Sequence, residues 1–158
     1  MKSGTTPGRR DLSFNHLDQV MPDVDRLLLG HETVGNWSLG RICNHLTATL
    51  QASIEGFGPG PPAIVRATFG RLGKRLLLRS GRMVEGLPIP GLPTGPSTEF
   101  DARAEAEALR GALRYYGSYR GPFAPHPVFG HFTAGEWTRA HQIHCAHHLS
   151  FARPTGPG

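Results

Sequence analysis

Apolar residues recur every three or four positions in several stretches of the chain, which is the pattern of helices with one buried face. The first stretch predicts a helix over about 13–29, interrupted by Pro22, and the second predicts a helix over about 38–55. A third helix is predicted over about 62–79, where Pro62 suits a first helical turn. No alternation of apolar and polar residues is long enough to predict a sheet.

Two further helices are predicted in the second half of the chain. One begins near the motif Thr98-x-x-Asp101 and runs to about Tyr116, with apolar residues at helical spacing. The other begins at a capping box over 133–136, in which a threonine and a glutamate satisfy first-turn amides, and runs to about Ser150. The pattern therefore favours an all-α fold.

Long loops rich in glycine and proline separate these helices. Residues 80–97 and 121–132 carry prolines at intervals that exclude regular helix. At 158 residues the chain fits a single domain, which we expect to span 13–154 after a flexible polar segment of residues 1–12. A chain of this length can bury a core without disulfides.

Charge and cysteine content change this picture little. The net charge of +5 comes mostly from arginine, but no basic run is interleaved with exposed aromatic residues, so nucleic acid is disfavoured as a partner. Cys43 and Cys145 each lie near a histidine in a predicted helix and are expected to be free thiols. The first ten residues lack an apolar segment typical of secretion signals, and Leu76–Leu78 is too short to span a membrane. We expect a cytoplasmic protein.

Histidine is the anomaly of the composition, with nine in the chain and four of them within 141–148. On a helical wheel at about 100° per residue, one narrow face of the last helix collects three of these four between two aromatic residues. That face comprises Trp137, His141, His144, His148 and Phe151. His147 is expected to point to one side of it.

Buried imidazoles need partners for their nitrogens, and a metal ion supplies one. His144 and His148 lie four residues apart, so their rings can reach one ion. The third ligand is expected to be His45, on the flank of the apolar stripe of the second helix; the alternative is a histidine hydrogen-bonded between helices. The other histidines outside the last helix have weaker support: His16, His31, and the loop residues His126 and His131.

Several catalytic motifs are absent. The segment 144–148 reads His-Cys-Ala-His-His and lacks the glutamate of the H-E-x-x-H motif, which disfavours a protease of the zincin type. Cys145 lies off the histidine face, so it is not expected to bind the metal. Neither a G-x-S-x-G motif nor a phosphate-binding G-x-x-x-x-G-K-[ST] motif occurs.

Five short motifs follow one another in a characteristic order: Trp-Ser-Leu-Gly at 37–40, Asn-His-Leu at 44–46, His-Pro-x-x-Gly at 126–130, Glu-Trp at 136–137, and His-His-Leu-Ser-Phe at 147–151. In this order and spacing the chain resembles the DinB/YfiT-like superfamily of metal-dependent enzymes, in a branch described only as a domain of unknown function. The resemblance spans nearly the whole chain.

The resemblance implies an up-down-down-up four-helix bundle. It also implies a three-histidine metal site with one ligand from the second helix and two from the last, positions that His45, His144 and His148 match. Relatives in this superfamily include thiol-dependent transferases and a maleylpyruvate isomerase. Many of them carry an H-R-G-Q ending where this chain has His-Leu-Ser-Phe at 148–151.

Two hypotheses follow. In the first, the protein is an enzyme with one divalent transition metal, zinc or nickel before iron or manganese, and His141 supports the ligands or shuttles protons. It would catalyse nucleophilic transfer or hydrolysis of an unidentified small molecule. In the second, it is a non-catalytic protein that binds metal, or binds anions or nucleic acid through a ridge of Arg71, Arg75, Arg79 and Arg82. Both hypotheses are compatible with a homodimer.

Overall fold

The computed structural model describes residues 6–59, 69–85 and 99–156, and its elements are mostly helical. A turn of 3-10 helix at Leu17–Gln19 precedes the first α-helix. The helices are α1 (Val20–Leu28), α2 (Leu39–Glu55), α3 (Arg71–Ser80), α4 (Ala102–Ser118) and α5 (Ala134–Leu149), and the strands are β1 (His31–Thr33) and β2 (Ala152–Pro154).

Side-chain caps decide where three of the helices begin. The Ser38 hydroxyl accepts the amide hydrogen of the third residue of α2, and the Asp101 carboxylate accepts two amides at the start of α4. At α5, Thr133 and Glu136 form the capping box expected from the sequence. The caps of α2 and α5 fix the starts of the two helices that carry His45, His144 and His148.

The first helix begins later than its apolar pattern predicts. Residues 13–16 are not helical, and α1 starts at Val20 after the 3-10 turn. Pro22 was expected to interrupt the helix, but it lies in the first turn of α1, where its missing N–H has no helical acceptor to lose. Of the predicted third helix, residues 62–68 lie outside the described residues, as do residues 86–97 of the predicted loop.

A small antiparallel sheet is present, although the sequence predicted none. Strand β1 pairs with β2, with His31 opposite Pro154 and Thr33 opposite Ala152. Each strand has three residues, which is too short for an alternating pattern to be recognised. The pairing joins the end of α1 to the chain just after α5, so it fixes the end of the helix that carries the histidines.

The core lies where α2 packs against α4 and α5. Leu46 and Leu50 of α2, Leu109 of α4, and Trp137 and Leu149 of α5 are all almost fully buried. The N-terminal segment packs against the end of α5, because the guanidinium of Arg10 donates a hydrogen bond to the carbonyl oxygen of Leu149. Within the described ranges, no helix is both long and apolar enough to cross a membrane.

Candidate metal centre

Three histidines from two helices meet at one point. His45 lies near the middle of α2, and His144 and His148 lie one turn apart near the end of α5. The Nε2 atoms of His45 and His144 are 3.0 Å apart. One nitrogen from each of the three rings lies within 4.8 Å of the others. The structure therefore brings together the three residues that the sequence singled out as metal ligands.

The three rings meet edge to face, which lets their nitrogens converge instead of stacking. Ring centroids are 4.9 Å apart for His45 and His144, 4.5 Å for His45 and His148, and 4.6 Å for His144 and His148. In a tetrahedral zinc site with bonds of about 2.0–2.1 Å, ligand nitrogens are about 3.4 Å apart. This spacing lies between the 3.0 Å of the His45 and His144 pair and the 4.8 Å within which all three nitrogens fall.

Burial keeps these imidazoles neutral. Desolvation, followed by the neighbouring histidines, lowers the pKa of His144 and of His148 well below the usual value. The pKa of His45 falls to about 4, mainly through burial and secondly through the positive charge of Arg41. Neutral imidazole is the form that binds a metal, so at neutral pH all three rings are in the form that can act as ligands.

Trp37 covers the side of this group. Its ring stacks on His148 with a centroid distance of 5.2 Å, and it meets His45 edge to face at 5.1 Å. The guanidinium of Arg41 lies 4.7 Å from the centre of the same indole. In the sequence Trp37 stands out only as part of a motif, and its contact with two candidate ligands becomes visible only in the structure. The available signal was an aromatic residue directly before the helix cap Ser38.

His147 is more enclosed than its position on the wheel suggested. It is buried at 9% exposure and packs edge-on against His148. Its Nδ1 lies 3.0 Å from a guanidinium nitrogen of Arg9, which also donates to the Ser150 hydroxyl and pairs with Glu85. Burial, with Arg9 second, lowers the pKa of His147 to about 4. This ring is not one of the three that converge.

His141 lies deeper in the core than the three converging rings. Its Nε2 is 3.0 Å from the Ser53 hydroxyl of α2, and its ring packs between Trp137 and Tyr116. Burial, followed by the charge of His126, lowers its pKa to about 3. The hydrogen bond joins α5 to α2 one turn from His144. A role in proton transfer remains a prediction.

The two loop histidines lie apart from the converging group. His126 accepts hydrogen bonds on Nδ1 from the amides of Val128 and Phe129, which shapes its own turn. Burial lowers the pKa of His126 to about 4. His131 is exposed, and its carbonyl accepts a bond from Lys74. Neither belongs to the group whose nitrogens converge.

Both cysteines are free, as the sequence predicted, and the structure shows that both are buried. Burial raises the pKa of Cys43 and of Cys145 to about 12. Neither sulfur joins the converging nitrogens. Both thiols therefore act as small apolar core groups on α2 and α5.

Two other features lie away from the histidines. Four arginines form the ridge that the second hypothesis assigns to an anionic partner. All four are exposed: Arg71, Arg75, Arg79 and Arg82. A cavity of about 650 Å³ opens between α1, α4 and the start of α5, lined mainly by Leu17, Met21, Leu113, Tyr116 and Phe123. Its lining includes none of the three converging histidines. The chemistry of the histidine group, and not the volume of this cavity, marks the candidate site.

Comparison with known proteins identifies a family for this chain. No curated protein and no solved structure matches the chain. A family model described as "Protein of unknown function (DUF1569)" matches residues 7–155. That description makes no mention of the DinB/YfiT superfamily, so the relation to it remains a prediction from the motifs. With nearly its whole length matched, the chain belongs to the family of proteins of unknown function DUF1569.

Proposed function

We propose that this protein binds one divalent transition metal through His45, His144 and His148 and uses it as a metal-dependent enzyme. The observation that carries the proposal is the convergence of three imidazole nitrogens within 4.8 Å of one another. One hydrogen bond between the Nε2 atoms of His45 and His144 cannot satisfy all three converging nitrogens, whereas a cation can.

The number of ligands favours catalysis over a purely structural site. Structural zinc sites are closed by four protein ligands, whereas catalytic sites use three and keep a position for water or substrate. Every Asp, Glu, Cys and His of the sequence lies within the described residues, and only His45, His144 and His148 belong to the group. The fourth position is therefore open to a ligand from outside the chain.

A bound metal would polarise a substrate or lower the pKa of a water or thiol, which fits nucleophilic transfer or hydrolysis. The protein supplies neutral ligands on rigid helices, and Trp37 excludes solvent from one side. We propose zinc or nickel before iron or manganese, since all four accept imidazole. His141, hydrogen-bonded to Ser53, would hold α5 in register with α2 and support proton movement near His144.

The motif order also supports a DinB-like bundle with an up-down-down-up course. With it we propose nucleophilic transfer, in which a thiol is one candidate nucleophile, or hydrolysis as the reaction class. The substrate would be a small molecule, since the site lies between helices. Free thiols at both cysteines are consistent with a cytoplasmic location, which we propose as well.

Metal analysis of ligand variants tests the metal site. Protein purified without a nickel column and then equilibrated with zinc should retain one ion per chain. His45→Ala, His144→Ala and His148→Ala should each lose it. The matched control is His131→Ala, an exposed histidine outside the group, which should keep one ion. If the three variants retain zinc as the control does, the site is misplaced.

The same series separates neighbouring histidines on α5. His147→Ala should keep the metal, because its Nδ1 faces Arg9 and not the other ligands. His141→Ala should weaken binding about 10–100-fold without abolishing it, as expected for a group that supports a ligand from behind. A cobalt(II) spectrum that does not respond to azide would show a closed site and argue against an enzyme.

A further inference from the structure

A positive charge lies at the edge of the histidine group. Arg41 precedes His45 by one turn on α2, and its guanidinium lies 4.7 Å from the centre of the Trp37 ring. That indole contacts both His45 and His148. Arg41 contacts Trp37, and Trp37 contacts His45 and His148, so these contacts place Arg41 beside the candidate site.

No acidic side chain neutralises this arginine. All 12 acidic residues of the chain lie within the described segments, and none of them forms an ion pair with Arg41. Arg9, which lies near His147, differs because it pairs with Glu85. Arg41 is therefore available to a ligand from solution.

The charge balance of the site calls for an anion. Histidine binds a metal as neutral imidazole, so three histidines would leave both positive charges of a divalent ion uncompensated, and Arg41 adds a third positive charge nearby. Positive charges that lie near one another repel, and an anion placed among them relieves that repulsion. The planar guanidinium presents a fork of N–H donors whose geometry matches a carboxylate.

We propose that the ligand of the open metal position is a small carboxylate, with Arg41 as the residue that selects it. This rests on the proposed metal site and names the class of substrate for it. The carboxylate would bind at the edge formed by Arg41 and Trp37, where the guanidinium would pair with its anionic group. Arg41 acts as a specificity residue and Trp37 as an apolar wall for the rest of the substrate.

The experiment uses the full chain loaded with cobalt(II), titrated with acetate at constant ionic strength and followed by the visible spectrum. Acetamide, the neutral analogue, is the paired probe, and inorganic phosphate is the third. We expect acetate to shift the spectrum and acetamide to leave it unchanged. Arg41→Gln should weaken acetate binding about ten-fold or more, the usual effect of losing a charged hydrogen bond. Arg103→Gln, at an exposed arginine on α4, is the control and should match the wild type.

Cobalt content distinguishes the two proposals. Arg41→Gln should keep one ion per chain; if the wild type binds no cobalt, the metal site itself fails before any titration. The substitution leaves the α2 cap intact, because the Arg41 backbone amide makes that bond. Arg41→Lys keeps the charge without the fork and should fall between wild type and Arg41→Gln. Equal acetate affinity in wild type and both variants, equal response to acetamide, or tighter binding of phosphate than acetate would overturn the assignment.

Discussion

Replacing Gly40 by alanine is expected to destabilise the protein, because this glycine lets α2 approach the segment that leads into α4. Gly40 is the second residue of α2 and is buried. A Cβ added there would lie 2.9 Å from the carbonyl carbon and from the Cβ of Phe100, and it would overlap the carbonyl oxygen as well. These are mostly backbone atoms, which cannot swing aside as the tip of a long side chain can. The helix or the segment at Phe100 must move.

Two opposing effects set the magnitude. Overpacking a tight contact costs typically about 1–3 kcal/mol. Alanine in a helix recovers about 0.5–1 kcal/mol relative to glycine, and less in the first turn, where this residue lies. We therefore expect Gly40→Ala to lower the free energy of unfolding by about 1–2 kcal/mol. For a chain of this size that corresponds to a fall in Tm of roughly 2–8 °C.

Thermal and urea unfolding followed by circular dichroism would measure this effect. The matched control is Gly111→Ala in the middle of α4, where an added Cβ would meet nothing within 4 Å. That variant should gain about 0.5–1 kcal/mol, since only the conformational term changes. If Gly40→Ala is as stable as Gly111→Ala, or more so, the close approach of α2 to Phe100 is not the constraint inferred from the structure.

Two further predictions concern groups whose ionisation is suppressed by burial. His126 has a pKa of about 4 when folded, so only the unfolded chain takes up its proton as the pH falls below about 6.5. Its contribution to the free energy of unfolding of metal-free protein should fall by about 1–3 kcal/mol between pH 7 and pH 4, in addition to the contributions of the other buried histidines. His126→Asn, which can still accept the two turn amides, should reduce the slope of this pH dependence in urea titrations by that amount, and an unchanged slope would exclude a contribution from His126. Cys43 and Cys145, with pKa values near 12, should not react with Ellman's reagent in native protein at pH 8, whereas denatured, unreduced protein should show two thiols. Fewer than two would reveal a disulfide.

Local patterns were sufficient to predict several features of the fold. Where a cap and an apolar stripe agree, as at the capping box of α5, the predicted start of the helix is confirmed. The pairing of His144 with His148 follows from this, because residues four apart on an α-helix share a face whatever surrounds them. The free state of the two cysteines also follows from their positions within helices.

Other features depend on contacts between segments that are distant in the sequence. Strands β1 and β2 carry no periodic signal, and they exist because the end of α1 meets the chain after α5. His147 is buried because Arg9 of the N-terminal segment packs against it. A helical wheel represents one helix alone and therefore does not show contacts with other segments. Trp37 joins the site because it precedes the first turn of α2 and turns back towards His148.

The three histidines of the candidate site separate what the sequence determines from what only the tertiary structure decides. The sequence by itself determined that His144 and His148 face the same way, since the period of the helix is set by backbone hydrogen bonds within that segment. It offered His45 only as a candidate, because a single histidine on a helix flank is equally suited to an interhelical hydrogen bond. Only the tertiary structure decided that its Nε2 lies 3.0 Å from that of His144, because the packing of α2 against α5 sets this distance across 99 residues of sequence.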